Sequence, residues 1–290
     1  MSRRALLLVN PHARLGQEGR LQAIQQLQSL GLELIEESAE NPKILSDLIR
    51  QYKDKVDCVI IGSGDGTINA ALDGLIETQL PLGILPLGTA NNLARNLQIP
   101  PSLASACQII ASGNQRRIDL GWVNGKPFLN VAGIGLSAEI NKTVKKEFKR
   151  RWGMFAYIAT AMPVLWKSRP FWAEISSNNH HFRVKTVQIT VCNGRYYGTG
   201  LSVAPDATID DRRLDLYCIE IRHWWEIFGL LPAILQGTSA RGIQTLQGET
   251  INIYTRRPHV VDVDGEIASM TPVEFRILPE ILSVFVPKLS

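Results

Sequence analysis

The sequence predicts an α/β domain over residues 1–120, followed by an all-β, antiparallel domain over residues 121–290 whose last strand is free to return to the first. Three observations carry this reading. A chain of 290 residues exceeds what a single hydrophobic core usually organises. Up to about Arg117, short apolar runs alternate with helical periodicity, the pattern of a parallel sheet covered on both faces. Beyond it the texture changes to short alternating segments separated by turn dipeptides, the pattern of antiparallel strands.

Ala5–Val9 reads as the first strand, and Leu21, Ile24, Leu27 and Leu30 then recur at every third position, as on one face of a helix. Asn41-Pro42 reads as a cap followed by proline at the first helical position, opening a helix with Ile44, Leu45, Leu48 and Ile49 inward. Asp57–Ile61 reads as a strand, Thr67–Ile76 as a helix, Leu82–Leu85 as a strand and Ala90–Leu97 as a helix. Pro101 opens a further helix that ends near Gly113. In the second half, Phe182–Val191, Leu214–Ile219, Ile251–Tyr254 and Leu282–Val286 read as strands, with turns at Asn124-Gly125 and Asn178-Asn179. Helical insertions are expected near 136–166 and 223–236.

Composition narrows the class. Hydrophobic residues make up 45% and charged residues 20%, an ordinary globular balance. No stretch approaches the roughly 20 apolar residues that span a bilayer. The apolar run Ala5–Val9 is too short for a signal core. Cys58, Cys107, Cys192 and Cys218 lie far apart without metal-ligand spacing, which fits a reducing, cytoplasmic compartment. The net charge of +4 is mild and implies no nucleic-acid partner.

The strongest local signal is Gly62-Ser63-Gly64-Asp65-Gly66-Thr67, between an apolar strand and a helical run. Glycines at such a junction let backbone amides and the helix dipole approach a phosphate. Asp65 inside an anion-binding turn points to a Mg²⁺-nucleotide, or else it is simply a helix cap. The chain has neither a Walker A loop nor a dinucleotide fingerprint. Gly88-Thr89-Ala90-Asn91-Asn92 follows the next strand, and Asn10-Pro11-His12-Ala13-Arg14 follows the first. Loops at the carboxyl ends of parallel strands share one rim, where ligands bind.

Asn10-Pro11, Gly62–Thr67 and Gly88–Arg95, followed by Asp210-Asp211 and Asp264-Gly265-Glu266, resemble the diacylglycerol kinase catalytic-domain family, especially bacterial soluble lipid kinases. Sphingosine kinases resemble it too. The resemblance covers nearly the whole chain and implies a phosphofructokinase- and NAD-kinase-like α/β domain and a C-terminal antiparallel β-sandwich-like domain. It implies ATP contacts at Asn10, Pro11, His12, Ala13, Arg14, Ser38, Ser63, Gly64, Asp65, Gly66, Thr67, Ile68, Asn69 and Thr89. Glu266 would accept the proton of a lipid hydroxyl, with Asp65 organising Mg²⁺-ATP. Asp211, with the carbonyls of Thr208 and Arg213, would hold a structural Mg²⁺. Ser63, Asn92 and Arg212 depart from the family pattern, where glycine, aspartate and glycine are usual.

From local sequence alone, Glu266 reads better as a solvated hairpin-turn carboxylate, a reading that only the resemblance reverses, and Asp210, Asp211 and Asp215 read equally as a charged surface turn. Lys142, Lys145, Lys146, Lys149, Arg150 and Arg151, interleaved with Phe148 and Trp152, suit peripheral contact with a membrane holding the lipid substrate, or a solvated helix face. Two other functions stay open: an NAD kinase, which shares the glycine-aspartate turn, and a catalytically silent nucleotide- or lipid-binding protein. The resemblance also allows a homodimer.

Overall fold

The computed structural model describes residues 3–13, 16–143, 169–178, 180–197, 201–202, 207–220 and 242–288. The chain forms two compact units, Met1–Leu120 with Pro279–Ser290, and Gly121–Leu278.

The first unit runs β1 (Arg3–Val9), α1 (Gly16–Ser29), β2 (Leu32–Ser38), a 3₁₀ turn (Pro42–Ile44), α2 (Leu45–Tyr52), β3 (Cys58–Ser63), α3 (Asp65–Thr78), β4 (Leu82–Pro86), α4 (Asn92–Asn96) and α5 (Leu103–Ser112). The chain leaves this unit within β5 (Gln115–Val123). Strands β2, β1, β3 and β4 lie side by side and parallel. Ala5–Val9 and Cys58–Ile61 are buried almost completely, because strands covered on both faces take continuous apolar runs. Each such Leu or Ile contributes roughly 1.5–3 kcal/mol of burial.

The caps are those the residue types suggest. Asn41 Oδ1 accepts the Lys43 amide at 3.1 Å with Pro42 next in line, Ser102 Oγ accepts the Ser105 amide, and Gly113 closes α5 in the left-handed conformation.

Three details differ from the sequence expectation. β2 went unread because an edge strand carries Glu33, Glu36 and Glu37 among its apolar residues and shows no buried run. Along α1 the buried residues are Gly19, Ala23 and Leu27, while Leu21, and Leu30 just after the helix, are exposed. Three-residue spacing drifts around a 3.6-residue helix, and the true contact stripe runs i, i+4. In the α2 region Leu45 and Ile49 are buried but Ile44 is exposed.

The second unit adds β6 (Lys126–Phe128), β7 (Val131–Gly135), α6 (Leu136–Thr143), β8 (Phe171–Ser177), β9 (His180–Cys192), β10 (Tyr196–Tyr197), β11 (Leu201–Ser202) and β12 (Leu214–Glu220). β13 (Ile243–Gly248), β14 (Thr250–Thr255), β15 (Val260–Val263), β16 (Glu266–Met270) and β17 (Val273–Phe285) complete it. Their order is β16-β15-β7-β9-β8-β14-β17, with antiparallel pairing along the path and β12 bridging β9 and β13. The last strand, β17, runs past the unit boundary into the first unit, where Val284 lies parallel to Leu82. Phe128 and Phe275 meet edge to face at 6.4 Å inside a core of Ile175, Ile189, Leu216 and Ile253. Most of the expected helical insertion near 136–166, and all of that near 223–236, lies outside the described residues.

His259, half-buried, stacks on Phe171 with ring centroids 4.0 Å apart. Burial holds its pKa below the usual 6.5, against the pull of Glu139. The folded state therefore binds fewer protons than the unfolded state once the pH drops below about 6.5, and stability falls with the pH from there. His259→Phe is expected to remove this acid-side loss. Urea unfolding of both proteins at neutral pH and near pH 5 checks it; equal slopes would refute the assignment.

Candidate active site

In the first unit the strand register aligns the loop ends. Val9 lies opposite both Ser38 and Gly62, and Ser63 lies opposite Pro86. The residues that follow each strand therefore emerge on one rim of the sheet, at its carboxyl ends.

Asn10 donates its amide to the Gly62 carbonyl at 3.1 Å, and its Oδ1 accepts the His12 amide at 2.9 Å. This side-chain turn fixes the path through Pro11 to Ala13, whose amide returns to the Asn10 carbonyl at 3.0 Å. His12 Nε2 lies 3.0 Å from Glu40 Oε1, and both side chains are exposed. Ser38 ends β2, and its Oγ accepts the Glu40 amide. Arg14 lies outside the described residues.

The glycine-rich turn is tighter. Ser63, buried, forms a 2.6 Å hydrogen bond between its Oγ and Thr67 Oγ1 across the first turn of α3. It needs no left-handed backbone, so serine stands here in place of glycine without strain. Gly66 is exposed, and the position a Cβ would take has no neighbour within 4 Å. The start of α3 thus keeps an open face toward a ligand, with amides and helix dipole suited to phosphate. Ile68 turns into the core. Asn69 stands one turn beyond Asp65 on the same helix, and its Oδ1 is buried with no hydrogen-bond partner among the described residues.

Asp65 does not point loosely at solvent. Its Oδ2 accepts the Asn92 amide and its Oδ1 the Leu93 amide, both at 2.9 Å. One carboxylate thereby ties the start of α3 to the start of α4. Burial pushes its pKa up, and these two amides and the nearby Arg95 charge pull the other way.

The second glycine loop is held by Asn91. Its Oδ1 accepts the Gly88 amide at 3.0 Å, and its Nδ2 donates to the Pro86 and Gly88 carbonyls at 3.1 Å. Asn91 itself takes the left-handed conformation at φ 50°, which asparagine tolerates. Gly88 packs directly on Gly64; a Cβ there would lie 2.5 Å from Gly64 Cα. Thr89 is exposed at the rim. Asn91 and Gly88 belong to a loop the sequence placed at this rim, but their individual roles, the side-chain clamp and the close contact with Gly64, were not assigned from residue type. Asn91-Asn92 at a strand-to-helix junction was the available signal.

In the second unit, Glu266 begins β16 directly after the turn Asp264-Gly265, whose φ values of 47° and 88° make a tight hairpin. The Glu266 side chain is exposed. Its neighbours are committed elsewhere. Asp264 accepts the amides of Leu129, Asn130 and Val131 at 2.8, 3.1 and 3.2 Å. Asp262 is buried and accepts Ser137 Oγ at 2.9 Å, beside Gln188, which accepts the Ser137 amide at 2.8 Å. These bonds anchor both flanks of the hairpin that presents Glu266.

Asp211 lies in the turn before β12. Its Oδ1 accepts the Arg213 amide at 3.3 Å, and its Oδ2 accepts the Thr208 amide and Arg213 Nε, each at 3.2 Å. Asp215 is turned away and buried, accepting Gln247 Nε2 at 2.7 Å. Among the described residues, no three acidic, cysteine or histidine side chains converge as a metal cage. The Arg213 guanidinium lies against one Asp211 oxygen and would repel a cation arriving there, so these residues do not fit a Mg²⁺ ligand set.

Known proteins resemble this chain over most of its length. The diacylglycerol kinase catalytic-domain family matches residues 4–123, and the YegS C-terminal NAD kinase beta sandwich-like domain matches residues 130–286. The Diacylglycerol kinase of Bacillus subtilis (strain 168) is 30% identical over 237 residues, spanning 80% of this chain and 78% of that protein. A Staphylococcus carnosus (strain TM300) protein provisionally named a lipid kinase is 26% identical, spanning 88% of this chain and 86% of its own. A crystal structure of a Bacillus anthracis protein, provisionally named a diacylglycerol kinase, superposes with a TM-score of 0.85 at 25% identity. That superposition covers 99% of this chain and 96% of the other.

Proposed function

This chain belongs to the diacylglycerol kinase catalytic-domain family, and from that premise we propose that it transfers the γ-phosphate of ATP to the hydroxyl of a diacylglycerol-like lipid. The observation that carries the reading is the pair of glycine loops locked together at one rim by Gly88 against Gly64 and by Asp65 across to Asn92 and Leu93.

In this reading the amides at the start of α3 and the Ser63–Thr67 hydroxyl pair orient the phosphates, while Asn10, Ser38 and Thr89 line the same rim. Phosphoryl transfer asks the protein mainly for positioning and charge neutralisation. Magnesium bound with the nucleotide supplies part of that neutralisation. Asp65 and Asn69 would hold it, and the buried, unpartnered Asn69 Oδ1 fits that role. Glu266 takes the proton of the lipid hydroxyl as the hydroxyl oxygen attacks the γ-phosphorus and the bond from that phosphorus to the bridging oxygen of ADP breaks, releasing ADP. A side chain exposed at the tip of an anchored hairpin suits a base that must meet a substrate arriving from outside.

No helix among the described residues is long and apolar enough to cross a membrane. We place the enzyme in the cytoplasm and its substrate at a membrane surface, met peripherally. The basic and aromatic stretch proposed for that contact falls, beyond Thr143, outside the described residues until Arg169.

Incubation with γ-labelled ATP, Mg²⁺ and mixed micelles of a total lipid extract tests the reading. One labelled lipid class is expected, reduced about 10²-fold or more in Asp65→Ala, whose two loops lose their tie. ATP bound without any labelled lipid would sink it.

A further inference from the structure

The turn at 208–213 carries a feature that neither the comparisons nor the proposed activity explains. Asp211 closes this turn through the amides of Thr208 and Arg213. Its side chain is only 18% exposed, so its charge needs a nearby positive partner. That partner is already part of the chain: Arg213 Nε sits 3.2 Å from Oδ2.

Arg212, between them, holds the left-handed conformation at φ 60°. Glycine is the residue that takes this conformation freely, and arginine does so here with the turn still closed. A divalent ion would need about six oxygen ligands at close range. It would have to enter beside a guanidinium on the same carboxylate, where like charges repel.

We infer that Arg213 stands in place of a structural divalent cation: it is the permanent counter-ion of Asp211, and the turn closes without metal. The inference concerns the architecture of the second unit and does not depend on which reaction the protein catalyses. It also makes a specific claim about what happens when the guanidinium is taken away. The vacated side of Asp211 then becomes a place a divalent cation can fill.

Thermal melting of the full-length chain, stripped with EDTA and free of nucleotide, tests this. The wild type is expected to melt at the same temperature with EDTA, with millimolar Mg²⁺ and with millimolar Ca²⁺. Arg213→Ala is expected to melt several degrees lower in EDTA and to recover when either cation is added, since a ligand that binds only the folded state raises its stability. If Arg213→Ala folds only when Mg²⁺ or Ca²⁺ is present, that too supports the inference. Arg213→Lys, which keeps a cation, should remain insensitive to metal, and Asp211→Asn combined with Arg213→Ala should lose the recovery. A wild-type melting temperature that falls in EDTA and returns with Mg²⁺ would overturn the inference. So would an Arg213→Ala protein that melts identically in EDTA and in both cations. Because every sample lacks ATP and lipid, neither result is confused with failure of the kinase reading.

Discussion

Gly88→Ala is expected to lose ATP binding far out of proportion to its loss of stability. A Cβ at residue 88 would lie 2.5 Å from Gly64 Cα, 2.9 Å from Gly64 N and 2.7 Å from Asn91 Oδ1. Two of those three atoms are backbone, so no side chain can swing away to make room. Overpacking of this kind costs about 1–3 kcal/mol, which a protein of this size survives. The nucleotide site is less forgiving, because the methyl group wedges apart the two loops that must hold the phosphates together. A displacement of about 1 Å in such a site costs on the order of 10²-fold. Gly64→Ala is the natural control: its Cβ would meet Gly88 Cα at 3.4 Å, an ordinary contact. Calorimetric ATP titration of both variants, beside their melting curves, decides the matter. Wild-type ATP affinity in Gly88→Ala would show that the two loops do not cradle the nucleotide.

Glu266→Gln is expected to show the opposite signature. Removing a general base lowers kcat by about 10²–10⁴-fold while leaving nucleotide affinity intact. Stability should hardly move, since the side chain is exposed and glutamine is nearly isosteric; surface changes of this kind stay within about 0.5 kcal/mol. The anchored flanks matter here. Asp264, on the amides of Leu129, Asn130 and Val131, keeps the hairpin in place whichever residue stands at 266. Steady-state kinetics on the labelled lipid, with ATP binding measured in parallel, separates the two effects. A kcat within a few-fold of wild type would remove Glu266 from the role of base.

The two positions also differ in how far each could be read from the sequence. Around the first glycine turn, strand, turn and helix are contiguous in the chain. The strand-turn-helix geometry of Ser63 to Thr67, on which the proposed phosphate contacts rest, was therefore legible from residue types and spacing. The rim shared by Val9, Ser38, Gly62 and Pro86 follows from parallel pairing, although β2 itself was hidden by its edge-strand glutamates. Glu266 was not legible locally. A hairpin carboxylate after Asp-Gly looks like any solvated turn, and only the resemblance of the whole motif series singled it out.

The sequence by itself determined the class of each domain, the order of most elements and the shape of the first glycine turn, because periodicity, caps and turn residues act between neighbours in the chain. Only the tertiary structure decided the side-chain partners. Asp65 stands in a glycine turn next to Gly64 and Gly66, and its oxygens hold the amides of residues 27 and 28 positions away, a tie that residue type does not reveal. Asp264 looked like a turn residue, and it bonds to amides more than 130 positions away. Asp211 looked like a ligand for Mg²⁺, and its oxygens accept from the Thr208 and Arg213 amides and the Arg213 guanidinium instead. A carboxylate carries the same charge in every one of these settings. Which donor reaches it first is set by where the backbone brings a buried N–H or a neighbouring cation, and an unmet buried charge is too costly for that choice to be left open.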